Sequence, residues 1–171
     1  PKEDSQKEKR DEYGDILWGK RKRKGLTQFE ARKLMRERNY FGSMMVETGE
    51  ADALISGISR NYRTTIKPAL EVIGKLDDVK KVAGMYIMNT KKGTLFLADT
   101  TINTNPTTEE LVDMSEMIAK KVKKFNVTPR LALLSYSNFG STRTEGSSKM
   151  AKATVLLKER NPNLIVDGEI Q

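Results

Sequence analysis

An α/β sandwich with a mixed, mostly parallel sheet is the fold this sequence predicts, and three observations carry the prediction. Short apolar runs, of which residues 131–134 (Leu-Ala-Leu-Leu) are the least interrupted, alternate with segments whose apolar residues recur at three- and four-residue steps. Two capping-box patterns, Thr27-Gln28-Phe29-Glu30 and Thr107-Thr108-Glu109-Glu110, mark helix starts where a hydroxyl and a carboxylate each satisfy an orphan N–H. Two strands, over 82–88 and 94–98, are separated by a glycine-containing loop of hairpin length, and that antiparallel pair makes the sheet mixed.

Taken in order, residues 1–10 are almost entirely charged or polar and are expected to form a tail unless docked. Residues 1–24 together form a charged segment or linker ahead of a domain over 25–171, with Trp18, the only tryptophan, as a docking anchor. A helix runs from the Thr27 cap to about Arg38. A second, over 40–46, buries Phe41, Met44 and Met45 and stops before Gly49, a left-handed terminator. Residues 53–56 are the first buried strand and lead into Ser56-Gly57. The helix from 60 or 61 to about 73 contains Lys67-Pro68, which demands a kink or a late start. After the hairpin and a polar loop over 99–106, the clearest helix places Leu111, Met114, Ile118, Val122 and Phe125 on one face. Residues 131–134, a strand buried on both faces, then run into a polar loop over 135–141. A helix over 148–160, stopped by Pro162, and a strand over 164–166 before an Asp167-Gly168 turn complete the series α, α, β, α, β, β, α, β, α, β.

Composition narrows the chemistry. The 171 residues suit one ordinary domain, 37% hydrophobic and 32% charged, and no apolar run approaches the roughly 20 residues of a membrane helix. With no cysteine and no histidine there is no disulfide, thiolate, imidazole base or imidazole metal ligand, so catalysis would fall to hydroxyls, carboxylates, lysines, arginines and backbone dipoles. Absence of cysteine, together with a start that lacks a secretory apolar region, fits a cytoplasmic location. A formal charge of +8 favours an anionic partner. The densest cationic run, residues 20–24 (Lys-Arg-Lys-Arg-Lys), is read first as a solvated segment and second as a phosphate or nucleic-acid contact.

Loops beyond the carboxyl ends of strands in open α/β sheets present N–H groups and helix N-termini to ligands. On that ground Ser135, Ser137, Asn138, Gly140 and Ser141, with Ser56 and Gly57 after the first strand, are candidate donors. Arg60, Arg63 and Lys67, spaced by three and four, are candidate cations on one helix face. An ordinary Ser/Gly loop closing a βα unit and a solvated basic face are the plain alternatives.

Four stretches in order resemble the phosphotransacetylase family, the phosphate acetyl- and butyryltransferases. They are Ala51-Asp52-Ala53-Leu54-Ile55-Ser56-Gly57, Phe96 to Asp99 ahead of the Pro-Thr-x-x-Glu helix start, Pro129 to Gly140, and Asp167-Gly168-Glu169. Arg38-Asn39-Tyr40-Phe41-Gly42 and Ser59-Arg60-Asn61-Tyr62 resemble the phosphotransacetylase-like C-terminal region of hybrid NADP-dependent malic enzymes. The resemblance implies a three-layer α/β/α sandwich of the isocitrate/isopropylmalate dehydrogenase type, acetyl-CoA or CoA as ligand, and self-association. It also implies that Asn61 joins Arg60 and Arg63 at the ligand. NADP and a divalent metal would belong to a malic-enzyme portion that this sequence does not contain. Catalytic members carry His-Ser-Thr-Ala-Asp before Val-Arg-Pro, where this chain has Arg60, Asn61, Tyr62, Arg63 and Thr64, then Ile66, Lys67 and Pro68. The family also continues past the position of Gln171 to a Ser-Arg-Gly segment, so the chain resembles part of a larger domain.

Three functions follow. The leading one is a catalytically silent, acetyl-CoA-sensing regulatory module of a hybrid malic enzyme. The second is an active phosphate acyltransferase, whose general-base candidates are missing here. The third, a basic nucleic-acid-binding module, rests on residues 20–24 alone and lacks aromatic interleaving or a docking motif. No membrane partner is expected. In the leading reading, the Ser56 and Ser137 turns each form part of one thioester pocket.

Overall fold

The structure, a computed structural model, describes residues 3–99 and 101–171. The chain divides into two compact units, Pro1–Leu76 and Asp77–Gln171.

The first unit is helical. Helix α1 (Lys7–Arg21) is followed by α2 (Gln28–Leu34), α3 (Arg38–Glu47) and α4 (Tyr62–Val72). The charged stretch expected to be a tail is therefore mostly helix; its residues 1 and 2 lie outside the described residues. Tyr13 and Leu17, one turn apart on α1, are fully buried with Ala31, Met35, Tyr40, Met44 and Val72. Two apolar positions suffice because α1 and α2 approach closely at Gly14, where a Cβ would lie 2.5 Å from the Arg32 side chain and 2.7 Å from its backbone. Trp18 is only partly buried; Leu17 and Tyr13 are the anchors. Thr27 and Glu30 form the expected capping box, and Gly49 has φ +77 just after α3.

Helix α4 runs through Pro68. Proline cannot donate to the carbonyl four residues back, and that carbonyl, Thr64 O, instead accepts from the Asn39 side-chain amide at 3.3 Å. Residues 53–56 form no strand; they cross the surface as irregular chain, with Ile55 98% exposed.

The second unit is α/β. Strands β1 (Met85–Thr90) and β2 (Gly93–Ala98) pair antiparallel, with Thr90 opposite Gly93 across a Lys91-Lys92 turn. Helix α5 (Thr108–Lys123) carries the Thr107–Glu110 capping box. Thr100, in the loop before it, lies outside the described residues. Strand β3 (Arg130–Leu134), helix α6 (Glu145–Arg160) and strand β4 (Ile165–Ile170) form a β-α-β unit in which β3 and β4 pair parallel. The expected mixed character is thus divided between two separate two-stranded sheets. Leu111, Val112, Met114, Leu133, Ala153, Leu157 and Val166 make the core.

Three expectations are corrected in this unit. Strand β3 is buried on one face only, since Leu133 is buried while Leu134 is 58% exposed. Phe125 is half exposed, its ring tilted against that of Phe96 at 5.5 Å rather than set in the core. The Asp167-Gly168 pair does not end the last strand. It lies inside β4, at the irregularity that shifts register opposite Leu133 and Leu134, and two further residues of strand, Glu169 and Ile170, follow.

Candidate functional site

The sequence-predicted residues fall in both units.

In the first unit, the Ser56 hydroxyl donates to Asn39 Oδ1 at 2.7 Å. Asn39, at the start of α3 and nearly buried, joins Ser56 to the carbonyl that Pro68 frees on α4. Gly57 has φ +132 and is followed by Ile58 at φ +57, a β-branched residue in a region it rarely adopts. Asn61 caps α4, its side chain accepting from Thr64 N at 2.9 Å. Arg60 reaches Glu37 at 3.4 Å, and Lys67 lies 4.0 Å from Glu71. Arg60, Arg63 and Lys67 are all exposed, and exposed pairs of this kind are worth roughly 0 to 1 kcal/mol, so the cations keep most of their charge available to an anion.

The cationic run at 20–24 is different. Lys20 pairs with Glu47 and donates to Val72 O at 2.9 Å, while Arg21 pairs with Glu71 at 3.2 Å with both side chains about four-fifths buried. Lys22 sits over the Trp18 ring at 5.3 Å. Lys20 and Arg21 are therefore engaged in holding α1, while Lys22, exposed, lies over a ring of that same helix. Glu71 also accepts the Tyr40 hydroxyl, and burial first, then that carboxylate, push the Tyr40 phenol far above its ordinary value.

In the second unit the loop after β3 is knitted together. Ser135 Oγ bridges Ser137 by accepting from its N–H at 2.9 Å and donating to its carbonyl at 3.0 Å. Ser137 is fully buried, and its hydroxyl donates to Glu169 Oε1 at 2.8 Å while accepting from Thr142 N at 3.0 Å. Gly140 N–H donates to the same Glu169 oxygen at 2.6 Å. Phe139 N–H donates to the Glu169 carbonyl at 3.0 Å. Ser141 Oγ accepts from Asn138 N at 3.0 Å, and Asn138 Oδ1 from Gln171 N at 2.7 Å. A second buried hydroxyl, Ser147, donates to Thr142 O at 2.7 Å and completes the capping box with Thr144 that starts α6.

The loop thus brings Ser135, Ser137, Asn138, Gly140 and Ser141 together, but around Glu169 rather than around open space. Tyr136, Asn138, Phe139 and Ser141 are the side-chain-bearing residues it exposes. Glu169, 2% exposed, is the residue that sequence reasoning missed. Its signal was present: Asp167-Gly168 reads as a turn, yet Glu169 lies two residues from Asp167 on the same strand. Glycine is required at 168, where φ is +147 and a Cβ would meet Leu133 O at 2.8 Å.

Two surface hollows lie away from these residues, one of about 360 Å³ beside Lys9, Tyr13, Phe41 and Glu50, the other of about 420 Å³ beside Thr107, Thr108, Lys149 and Lys152. Among the described residues no three or more acidic side chains converge as a metal site, and no helix is long and apolar enough to cross a membrane.

Comparison with known proteins agrees with this architecture. The chain is 41% identical over 160 residues to the NADP-dependent malic enzyme of Escherichia coli (strain K12), covering 93% of the chain and 21% of that protein. It is 38% identical over 151 residues to the phosphate acetyltransferase of Bacillus subtilis (strain 168), covering 88% of the chain and 47% of that protein. Among solved structures, a phosphotransacetylase from Streptococcus pyogenes superposes with a TM-score of 0.77 at 33% identity, over 93% of this chain and 50% of that one. The EutD phosphotransacetylase from Staphylococcus aureus does so with a TM-score of 0.74 at 30% identity, over 94% and 49%. The chain therefore spans about half the length of these phosphotransacetylases and about a fifth of the malic enzyme. The α/β fold is theirs, and the sequence pattern of one family, described as phosphate acetyl/butaryl transferase, extends over residues 2–171. By that match, sustained across nearly every residue, the chain belongs to the phosphate acetyl/butaryl transferase family.

Proposed function

We propose that this chain is part of the phosphotransacetylase-like domain of an NADP-dependent malic enzyme, that it binds acetyl-CoA as a regulatory ligand, and that it does not catalyse acyl transfer. The observation that carries the reading is the segment 60–64. Where catalytic relatives are expected to hold an imidazole and a carboxylate, this chain has Arg60, Asn61, Tyr62, Arg63 and Thr64, and Asn61 is occupied in capping α4. Exposed Arg60, ahead of the α4 cap, and exposed Arg63 and Lys67 on α4 suit the phosphates of a coenzyme and offer no general base at neutral pH. The loop 135–141 of the second unit is read, on its own, as a contact for the thioester ligand. The protein is read as self-associating and cytoplasmic; NADP and the divalent metal belong to the malic-enzyme portion. Titration calorimetry on the whole protein with acetyl-CoA tests binding, and heat indistinguishable from dilution would remove the proposal.

A second reading, an active phosphate acyltransferase, is favoured by the 38% identity to the Bacillus subtilis phosphate acetyltransferase. Turnover of acetyl phosphate with CoA separates the two: the first reading expects none. Pairing of Lys20 with Glu47 and of Arg21 with Glu71 takes two of the five cations at 20–24 away from a nucleic-acid contact.

A further inference from the structure

We infer that Glu169 is the positioning residue of the loop 135–141, and that the loop's contribution to acetyl-CoA binding depends on it without Glu169 touching the ligand; this rests on the reading above. Three of the loop's groups converge on this one residue. The Ser137 hydroxyl and the Gly140 amide meet its Oε1 at 2.8 and 2.6 Å, and the Phe139 amide meets its carbonyl at 3.0 Å. Phe139 (φ +47) and Gly140 (φ +85) are consecutive left-handed residues, and for phenylalanine that conformation persists only where the surroundings hold it. Glu169 supplies the hold, through one bond to each of the two amides.

Two consequences follow for recognition. Consecutive N–H groups in a turn ordinarily make a cradle for a phosphate, but here both are taken by Glu169, and a buried carboxylate beside them opposes a second anion. The loop is therefore built to meet the uncharged parts of the coenzyme, and it presents Tyr136 and Phe139, 58% and 66% exposed, on its outer side. Glu169 reaches the loop from a neighbouring strand because Gly168 lets β4 pass close to Leu133.

The test uses the whole protein with acetyl-CoA as the probe. Glu169→Gln keeps an acceptor oxygen at Oε1, so it is expected to bind within about threefold of the unsubstituted protein and to keep the Gly140 amide protected from hydrogen exchange. Glu169→Ala removes the acceptor. It is expected to lose roughly tenfold or more in affinity and to lose protection at Phe139 and Gly140 while the amides of α5 and α6 stay protected. Should Glu169→Ala fail to fold, Ser137→Ala serves in its place, with a loss of roughly tenfold and with Gly140 still protected. Affinity unchanged in the alanine variants would overturn the inference, as would a Glu169→Gln protein as weak as Glu169→Ala, since charge rather than positioning would then be at work. Failure of the unsubstituted protein to bind acetyl-CoA is a separate result: it removes the proposed function, and this inference with it.

Discussion

The loops at 53–61 and 135–141 share a composition, a short apolar run followed by serine and glycine, and they are held in opposite ways. The first leaves Ile55 and Ile58 in solvent, places Ile58 in a left-handed conformation, and holds Ser56 by one hydroxyl bond to Asn39. The second has Ser137 wholly buried and three groups fixed on Glu169. The difference lies in what comes next. Beside 135–141 runs a paired strand that carries a buried acceptor into the turn, whereas residues 53–56 pair with no strand among the described residues. A Ser/Gly turn is thus neither rigid nor mobile by composition; a neighbouring buried acceptor decides.

The largest effect that could break this comparison is expected at Gly168. Gly168→Ala puts a Cβ 2.8 Å from Leu133 O at a φ of +147, so it should cost about 3 kcal/mol or more in urea unfolding. A near-neutral result would mean that β4 does not hold the second loop as described. Next come the two serines. Ser137→Ala leaves a buried carboxylate short of a donor and is expected to cost about 2 kcal/mol, whereas Ser56→Ala, on an exposed residue, should cost under about 1 kcal/mol. Equal losses would erase the contrast.

A pH effect of intermediate size belongs to the first unit. The Tyr40 phenol is raised above its ordinary 10.0, by burial first and then by the Glu71 carboxylate that accepts its proton. The neutral hydroxyl's contribution is therefore fully present below that ordinary value and is lost as pH rises beyond it towards the raised one. Unfolding midpoints compared at about pH 9 and about pH 11 should fall for the native protein and fall less for Tyr40→Phe. The smallest effect is expected at Asp113, whose carboxyl is held below its ordinary value, by the Lys80 hydrogen bond foremost and then by Arg160. Its contribution is present above the ordinary carboxylate range and lost as pH falls. Because Lys80 is mostly exposed, Asp113→Asn should cost under about 1 kcal/mol.

Local chemistry made much of this fold legible in advance. Both capping boxes and the Gly49 stop formed as read, because each depends on residues within a turn of one another; the antiparallel pair formed too, with its first strand shifted to Met85–Thr90 and its loop shortened to Lys91-Lys92. Helix α1 was not legible: its first turns are charged, and its buried stripe, Arg10, Tyr13, Gly14 and Leu17, holds only two large apolar residues. Pro68 looked like a helix breaker because the compensating donor, Asn39, lies 25 residues away from the carbonyl it satisfies. At the candidate site the loop residues could be chosen from sequence, but their direction could not. Ser137 faces inward because of Glu169, 32 residues further on, and the turn-like Asp167-Gly168 concealed that the strand continues.

Central to the account is that residues 135–141 meet a thioester ligand with their exposed side, on a framework fixed from β4. Hydrogen exchange of the whole protein with and without acetyl-CoA tests this most directly. The account predicts added protection across 135–143, with the Phe139 and Gly140 amides already protected before ligand is added. Saturating acetyl-CoA that leaves the exchange of this segment unchanged would contradict it.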